Sequence, residues 1–219
     1  VGWFVPDLDF AVESVAAVDG SLTPLLEFGL RVEEADGRDI DTIALNCQIM
    51  IEAVRRPYVA SEQEALLDLF GTPQRWGTSL KTMLWTHAAM VVPGFEGSTA
   101  AKLAVPASFD LSLAPTKYFF ALEEGEVPLT FQFSGTVFYR DAQGALMTER
   151  IAWTKEARFR LPVAVWRDLI DRHYPDGAWL CLRRDVFERL YRYKARRAVP
   201  TWETIVDELL ENAGTEAVS

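Results

Sequence analysis

The chain has 219 residues, 49% of them apolar, with 22 Lys/Arg against 32 Asp/Glu and a formal net charge of −10. That composition is globular rather than disordered, and its acidity argues against nucleic acid as a general partner. No apolar run approaches the roughly 18 residues of a membrane span, and the length suits one large domain that needs no disulfide or metal to hold its core.

The first two thirds read mainly as strands. In "LLEFGLRVEE", Leu26, Phe28, Leu30 and Val32 alternate with polar residues or glycine. The turn "ADGRD" follows, and then Ile43, Leu45, Cys47, Ile49 and Ile51 share one face of a second run. Two period-2 runs around a Gly-bearing turn predict a β-hairpin. A helical insertion is expected near residues 61–70, with Ser61 and Glu64 as a capping box and Gly71 at its end. After "TPQRWGTSL" a strand, "WTHAAMVV", is expected to stop at Pro93-Gly94.

Further strands are expected at "KLAV", "SFDLSL", "VPLTFQFSGTVFYR", "LMTERIAW" and "EARFRL", with a turn at "YRDAQGAL". The stretch "TKYFFALEEGE" fits either a strand or a short helix, and Gly135 within "FSGTVF" suggests a bulge or a close backbone approach. From Pro162 the period becomes helical. Val163, Trp166, Leu169, Ile170 and His173 mark one helix, which closes at a Pro-Asp-Gly turn. A second helix is expected over about 183–197. A third, over about 201–211, has Thr201 as N-cap and buries Trp202, Ile205, Val206, Leu209 and Leu210.

The fold expected is mainly β with α: an antiparallel two-layer β-sandwich, immunoglobulin-like in general architecture, with a helical insertion and a C-terminal helical cap. The sandwich would occupy 1–161, the cap packed on it 162–211, and a frayed tail 212–219. The sequence begins at Val1 rather than methionine, so a preceding leader stays open.

Little chemistry is written in the sequence. Cys47 and Cys181 follow no metal-ligand spacing, and a buried structural Cys47 in a reducing cytoplasm is expected. His87 and His173 lack a closely spaced second ligand, so structural roles are expected for both. Nucleophile elbows, dinucleotide loops and Walker loops are missing. The acidic turns 33–41 and 123–126 lack the ligand order of a calcium loop. No catalytic residue, cofactor or metal is therefore assigned.

Charge placement is the informative feature. Residues 1–154 carry 10 Lys/Arg against 21 Asp/Glu, residues 155–197 carry 12 against 6, and residues 198–219 none against 5. On the helix at 183–197, Val186, Phe187, Leu190 and Tyr191 are expected to face the domain. Asp185 and Glu188 stand four residues before Arg189 and Arg192, as ion pairs would need. Lys194, Arg196 and Arg197 suit the helix C-terminus without any partner. A solvated helix face and a binding surface both fit. Tyr193 among the cations supports the second, and Arg189, Arg192, Tyr193, Lys194, Arg196 and Arg197 form the candidate partner-binding edge.

The phrases "LLDLFGTPQRWGTSLKTMLWTH", "KYFFALEEGEVPL", "FSGTVFYR" and "LPVAVWRDLIDRHYPDGAWLCLRRDVFERLYRYKARRAVPTW" resemble an uncharacterised, mainly actinobacterial family encoded near [NiFe]-hydrogenase genes. That resemblance covers most of residues 25–210 and implies an accessory, assembly or complex-forming role, with hydrogenase subunits as partners. The expectation is a non-catalytic cytoplasmic protein that binds a protein partner. The alternative is a small-ligand or lipid carrier with an apolar cavity between sheet and cap. An enzyme ranks third, because it would need distant residues such as His87, Asp110 and Tyr139 to converge.

Overall fold

Alternating runs bury every second side chain, and a chain with many such runs closes its core by laying one sheet on another. A computed structural model, describing residues 6–110, 113–175 and 180–216, shows this arrangement. One sheet holds β1 (Leu8–Ala17), β2 (Leu25–Glu34) and β5 (Ser98–Pro106), in the order β1-β2-β5. The other holds β3 (Asp39–Ile51), β4 (Met83–Glu96) and β6 (Glu126–Arg140), in the order β4-β3-β6. Along the free side of β6 lie β7 (Leu146–Arg150), opposite Thr136–Arg140, and β8 (Glu156–Pro162), opposite Glu126–Gln132. Every pairing is antiparallel.

The two inner faces meet through aromatic rings. Phe10 stacks on Phe133 at 4.3 Å, and Phe28 meets Phe131, Phe159 and Trp85 edge-on at 5.1, 5.8 and 6.3 Å. Such pairs contribute roughly 0.5–1.5 kcal/mol each beyond the area they bury. The expected sandwich is thus present, and the buried faces of β2 and β3 are those the alternation selected.

The expected hairpin is not. β2 pairs with β1 and β5, whereas β3 pairs with β4 and β6, so the turn between them arches from one sheet to the other. Buried Glu34 organises this arch: its Oε2 accepts the backbone N–H groups of Asp36 and Arg38 at 3.1 and 2.8 Å. A second arch, from β4 to β5 through Gly97, lies beside it, with the Glu34 N–H donating to the Gly97 carbonyl at 2.7 Å.

Other differences have local causes. β4 continues through Pro93 and Gly94 to Glu96 because it is an edge strand, where a missing N–H leaves no ladder bond unmade. Gly94 is needed there, since a Cβ would stand 2.7 Å from the Asp41 carbonyl. Gly135, at φ +143°, would bring a Cβ to 2.0 Å from the Ala44 carbonyl, confirming the expected close approach. β1 escaped the sequence reading because a register shift between Val12 and Ser14 breaks its alternation. In "SFDLSL", Ser108 and Phe109 lie outside any strand, and residues 111 and 112 fall outside the described residues. The turn before β7 is as expected, with Asp141 Oδ1 accepting the N–H groups of Gln143 and Ala145.

The helical insertion comprises α1 (Ala60–Ala65) and α2 (Leu67–Phe70), followed after a 3₁₀ turn by α3 (Trp76–Ser79). Ser61 and Glu64 do not cap α1. The cap lies two residues earlier, at Val59, and Glu62 reaches back to the Val59 N–H at 3.2 Å. The ambiguous "TKYFFALEEGE" contributes to helix α4 (Ala114–Phe120) before β6 begins.

Helix α5 (Val163–His173) buries Val163, Trp166, Leu169 and Ile170, and its Trp166 stacks on Phe119 at 5.2 Å. The His173 ring lies 2.8 Å from the Leu169 carbonyl and 3.1 Å from that of Ser21, the structural role expected at a helix end. The Pro-Asp-Gly turn after it lies mostly outside the described residues. The chain forms two compact units, Val1–Trp179 and Leu180–Ser219, and α5 belongs to the first. The second unit contains α6 (Arg184–Arg197) and α7 (Trp202–Glu216). Thr201 caps α7 as expected, its Oγ1 accepting the Thr204 N–H at 3.3 Å. α7 runs on to Glu216, so the segment expected to fray from 212 is helical that far.

Candidate functional site

Helix α6 is basic because six of its fourteen residues are Lys or Arg and two are acidic, whereas α7 carries five acids and no base. Ala198, in the left-handed conformation at φ 54°, stops α6, and four residues later α7 begins. Phe187 and Tyr191, one turn apart on α6, converge on Trp202 at 5.6 and 6.2 Å. Lys194 bends over the Trp202 ring at 5.3 Å and donates to the Pro200 carbonyl at 2.9 Å.

The expected inward face of these helices is largely outward. α6 buries no residue fully, and of the five apolar positions expected to be buried on α7 only Ile205 is. Phe187, Tyr191, Trp202, Val206, Leu209 and Leu210 are all exposed, Tyr191 at 57% and Leu210 at 65%. Val206, Leu209 and Leu210 follow Trp202 at helical spacing, so the aromatic trio continues as an aliphatic stripe along α7.

The candidate edge divides in two. Tyr193, Lys194 and Arg197 are engaged within the unit: Arg197 lies over the Tyr193 ring at 5.5 Å and donates to its hydroxyl at 3.2 Å, with Glu208 of α7 nearby in charge. Arg189, Arg192 and Arg196 stand exposed, Arg192 donating to the Glu188 carbonyl at 3.2 Å. The ion pairs differ from those expected. Asp185 pairs with Arg183 at 3.3 Å and Glu188 with Arg184 at 3.3 Å, so neither carboxylate is turned toward Arg189 or Arg192.

A second polar cluster, in the first unit, was not legible in the sequence. Arg56 and Glu62 form a two-pronged ion pair, 2.8 Å at each prong, with side chains only 6% and 2% exposed. Glu62 also accepts the backbone N–H groups of Glu123 and Val59, and Arg56 donates to the Glu124 carbonyl. Burial works against the Glu62 charge. The Arg56 hydrogen bond, the two N–H donors and the Arg56 charge outweigh it and hold the carboxyl below its usual range. Tyr58 donates to the Ala53 carbonyl at 2.7 Å, which leaves the Tyr118 hydroxyl to donate to Tyr58 at 2.8 Å; burial raises both phenols. Every strong group here has a partner, so the cluster clasps the helical insertion to the loop before β6. Its signal, an Arg and a Glu six residues apart across Pro57, has no fixed spacing rule.

A cleft of about 440 Å3 lies at the surface of the first unit, lined in part by Trp85, Thr86, Pro106, Ser108, Thr116 and Tyr174. Its lining has hydroxyls and aromatic faces but no carboxylate, histidine, lysine or cysteine to move a proton or attack a carbonyl. His87 pairs with Gln48 of β3, while Tyr139 lies one residue beyond the Phe138–Thr42 pair, so the register holds them more than about 20 Å apart along β3. Cys47 is buried and its thiol is pushed up to about 12, as an inert structural thiol would be; Cys181 is exposed. Among the described residues no group of three His, Cys, Asp or Glu could hold a metal, and no helix is long and apolar enough to cross a membrane.

These features define an antiparallel β-sandwich protein with a second unit of two oppositely charged helices. The chain belongs to a family of unknown function, DUF6084, which matches residues 5–218. No curated protein matches it. Among solved structures it is similar to the CARDB domain of a Pyrococcus furiosus protein in complex with di-metal ions, at 13% identity and TM-score 0.29 over 74% of this chain and 96% of that one. A putative late embryogenesis abundant protein is 12% identical, with TM-score 0.31 over 72% and 73% of the two chains. A β-glucosidase from Kluyveromyces marxianus is 6% identical, with TM-score 0.27, over 73% of this chain and 15% of that one. At these scores the likenesses carry no argument about function.

Proposed function

We propose that this is a non-catalytic, complex-forming accessory protein whose contact surface is the α6–α7 unit. One observation carries the reading: six large apolar side chains stand exposed together on helices otherwise covered with charge. Exposed patches of this kind, rimmed by polar residues, mark protein interfaces, and Trp, Tyr and Arg are the residues that dominate interface energies. Arg189, Arg192, Tyr193, Lys194, Arg196 and Arg197 form the rim, where charge steers approach more than it adds affinity. The resemblance noted in the sequence makes [NiFe]-hydrogenase subunits the first partners to look for. The carrier alternative, with its cavity between sheet and cap, has weaker support, since α5 of the expected cap lays Trp166 on Phe119 and buries Val163, Leu169 and Ile170.

The test is purification of the tagged chain from its native host beside a Trp202→Glu/Leu209→Glu variant, with masses of the eluted complexes and identification of their components. A stoichiometric complex that the variant loses, while its sandwich still melts cooperatively, is the expected result. A complex that survives the variant intact would remove this surface from consideration.

A further inference from the structure

The sheet of charge on each helix points to what covers the patch. α6 carries six Lys/Arg against two Asp/Glu, and α7 carries none against five. Both contribute to one exposed apolar surface, α6 through Phe187 and Tyr191 and α7 through Trp202, Val206, Leu209 and Leu210. A partner with a single sign of charge would satisfy one helix and repel the other. A partner carrying one basic and one acidic helix around an apolar centre would satisfy both, and this chain is such a partner.

We infer that the α6–α7 unit binds a second copy of itself. The inference rests on the docking role proposed above and names its occupant. In a two-fold dimer the same patch serves both copies, so each contact occurs twice. Two arrangements are open to a pair of helices. α6 can face α6 and α7 face α7, which sets basic against basic and acidic against acidic. Or α6 of each copy can face α7 of the other, which sets opposite charges together at both repeats. The second arrangement uses the side chains left outward: Arg192 and Arg196 on α6, Glu203 and Asp207 on α7. It also encloses the aromatic trio and the aliphatic stripe. The helices are about 21 and 22 Å long, so neither overhangs the other by more than a residue's rise.

Sedimentation velocity on the full chain over a range of concentrations reads the outcome. The wild type is expected to be a dimer. Arg192→Glu/Arg196→Glu and Glu203→Arg/Asp207→Lys are each expected to weaken it by about tenfold or more, the scale of several lost and reversed rim pairs. Mixing the two variants is expected to restore a dimer, because the reversed α6 of one then meets the reversed α7 of the other. That recovery could not come from variants that had merely failed to fold. A dimer indifferent to both variants overturns the inference, since another surface would be responsible. A monomeric wild type overturns it too. If that monomer still loses a host protein when Trp202 and Leu209 are changed, the docking role stands with a different occupant. If it loses nothing, both readings fall.

Discussion

The sandwich and the helix pair follow opposite rules. In the sandwich the apolar face of each strand meets the face of another, and Phe28 alone touches three rings contributed by other strands. Its buried pair, Arg56 and Glu62, is mutually paired and further satisfied by backbone. In the helix pair Ile205 alone is buried among the apolar side chains, while six others stand outward. Stability therefore resides in the first unit, and the exposed apolar surface in the second. Burial makes a side chain costly to change for folding, whereas exposure beside charge makes it costly to change only for association.

The sharpest way to break that comparison is at Gly135. A Val there would press a Cβ against the Ala44 carbonyl at a backbone conformation that β-branched residues avoid. Gly135→Val is expected to cost about 4–5 kcal/mol or more, read as loss of soluble, cooperatively melting protein.

Next in size is the buried pair. Glu62→Gln leaves the Arg56 charge uncompensated and is expected to cost about 3–5 kcal/mol in chemical denaturation at neutral pH. The pH dependence has a defined sign. Because the folded Glu62 carboxyl titrates below its usual range, its contribution is complete above the ordinary carboxylate range and disappears as pH falls through the lowered value. The gap in melting temperature between wild type and variant is expected to narrow on acidification in that window. A gap that stays constant would show that the ion pair is not its source.

The smallest effect belongs to the second unit. Val206→Ser/Leu210→Ser removes exposed apolar surface and is expected to change the stability of the sandwich by less than about 0.5 kcal/mol. Differential scanning calorimetry on dilute protein measures it, and a shift of several kcal/mol would erase the division of labour drawn above.

How much of this was legible in the sequence depends on the range of the interaction. Period-2 alternation identified the buried faces of β2 and β3, because facing is a property of one strand. It could not say that the two strands lie in different sheets, since a hairpin and an inter-sheet arch need the same alternation and the same polar turn. β1 was hidden by its bulge, and the reach of β4 past Pro93 by its place at an edge. Charge asymmetry located α6 and α7, a matter of composition. Which carboxylate each arginine meets was not legible: Glu188 turned to Arg184 rather than Arg192, a choice between two equally spaced partners. The Arg56–Glu62 clasp depends on where β6 begins, sixty residues away, and no local pattern encodes it.

The paired arches at Gly37 and Gly97 have a consequence for how the molecule assembles. Because the chain changes sheets at each, the strands that flank an arch, β2 and β3 or β4 and β5, are not hydrogen-bonded to each other. β2 must wait for β5, pairing Glu33 with Ser98, and β3 must wait for β6, pairing Thr42 with Phe138. Loops that long lose chain entropy before any ladder bond forms. Folding of the sandwich is accordingly a slow, high-contact-order process, on the millisecond-to-second scale, with the β1–β2 and β6–β7 hairpins closing locally.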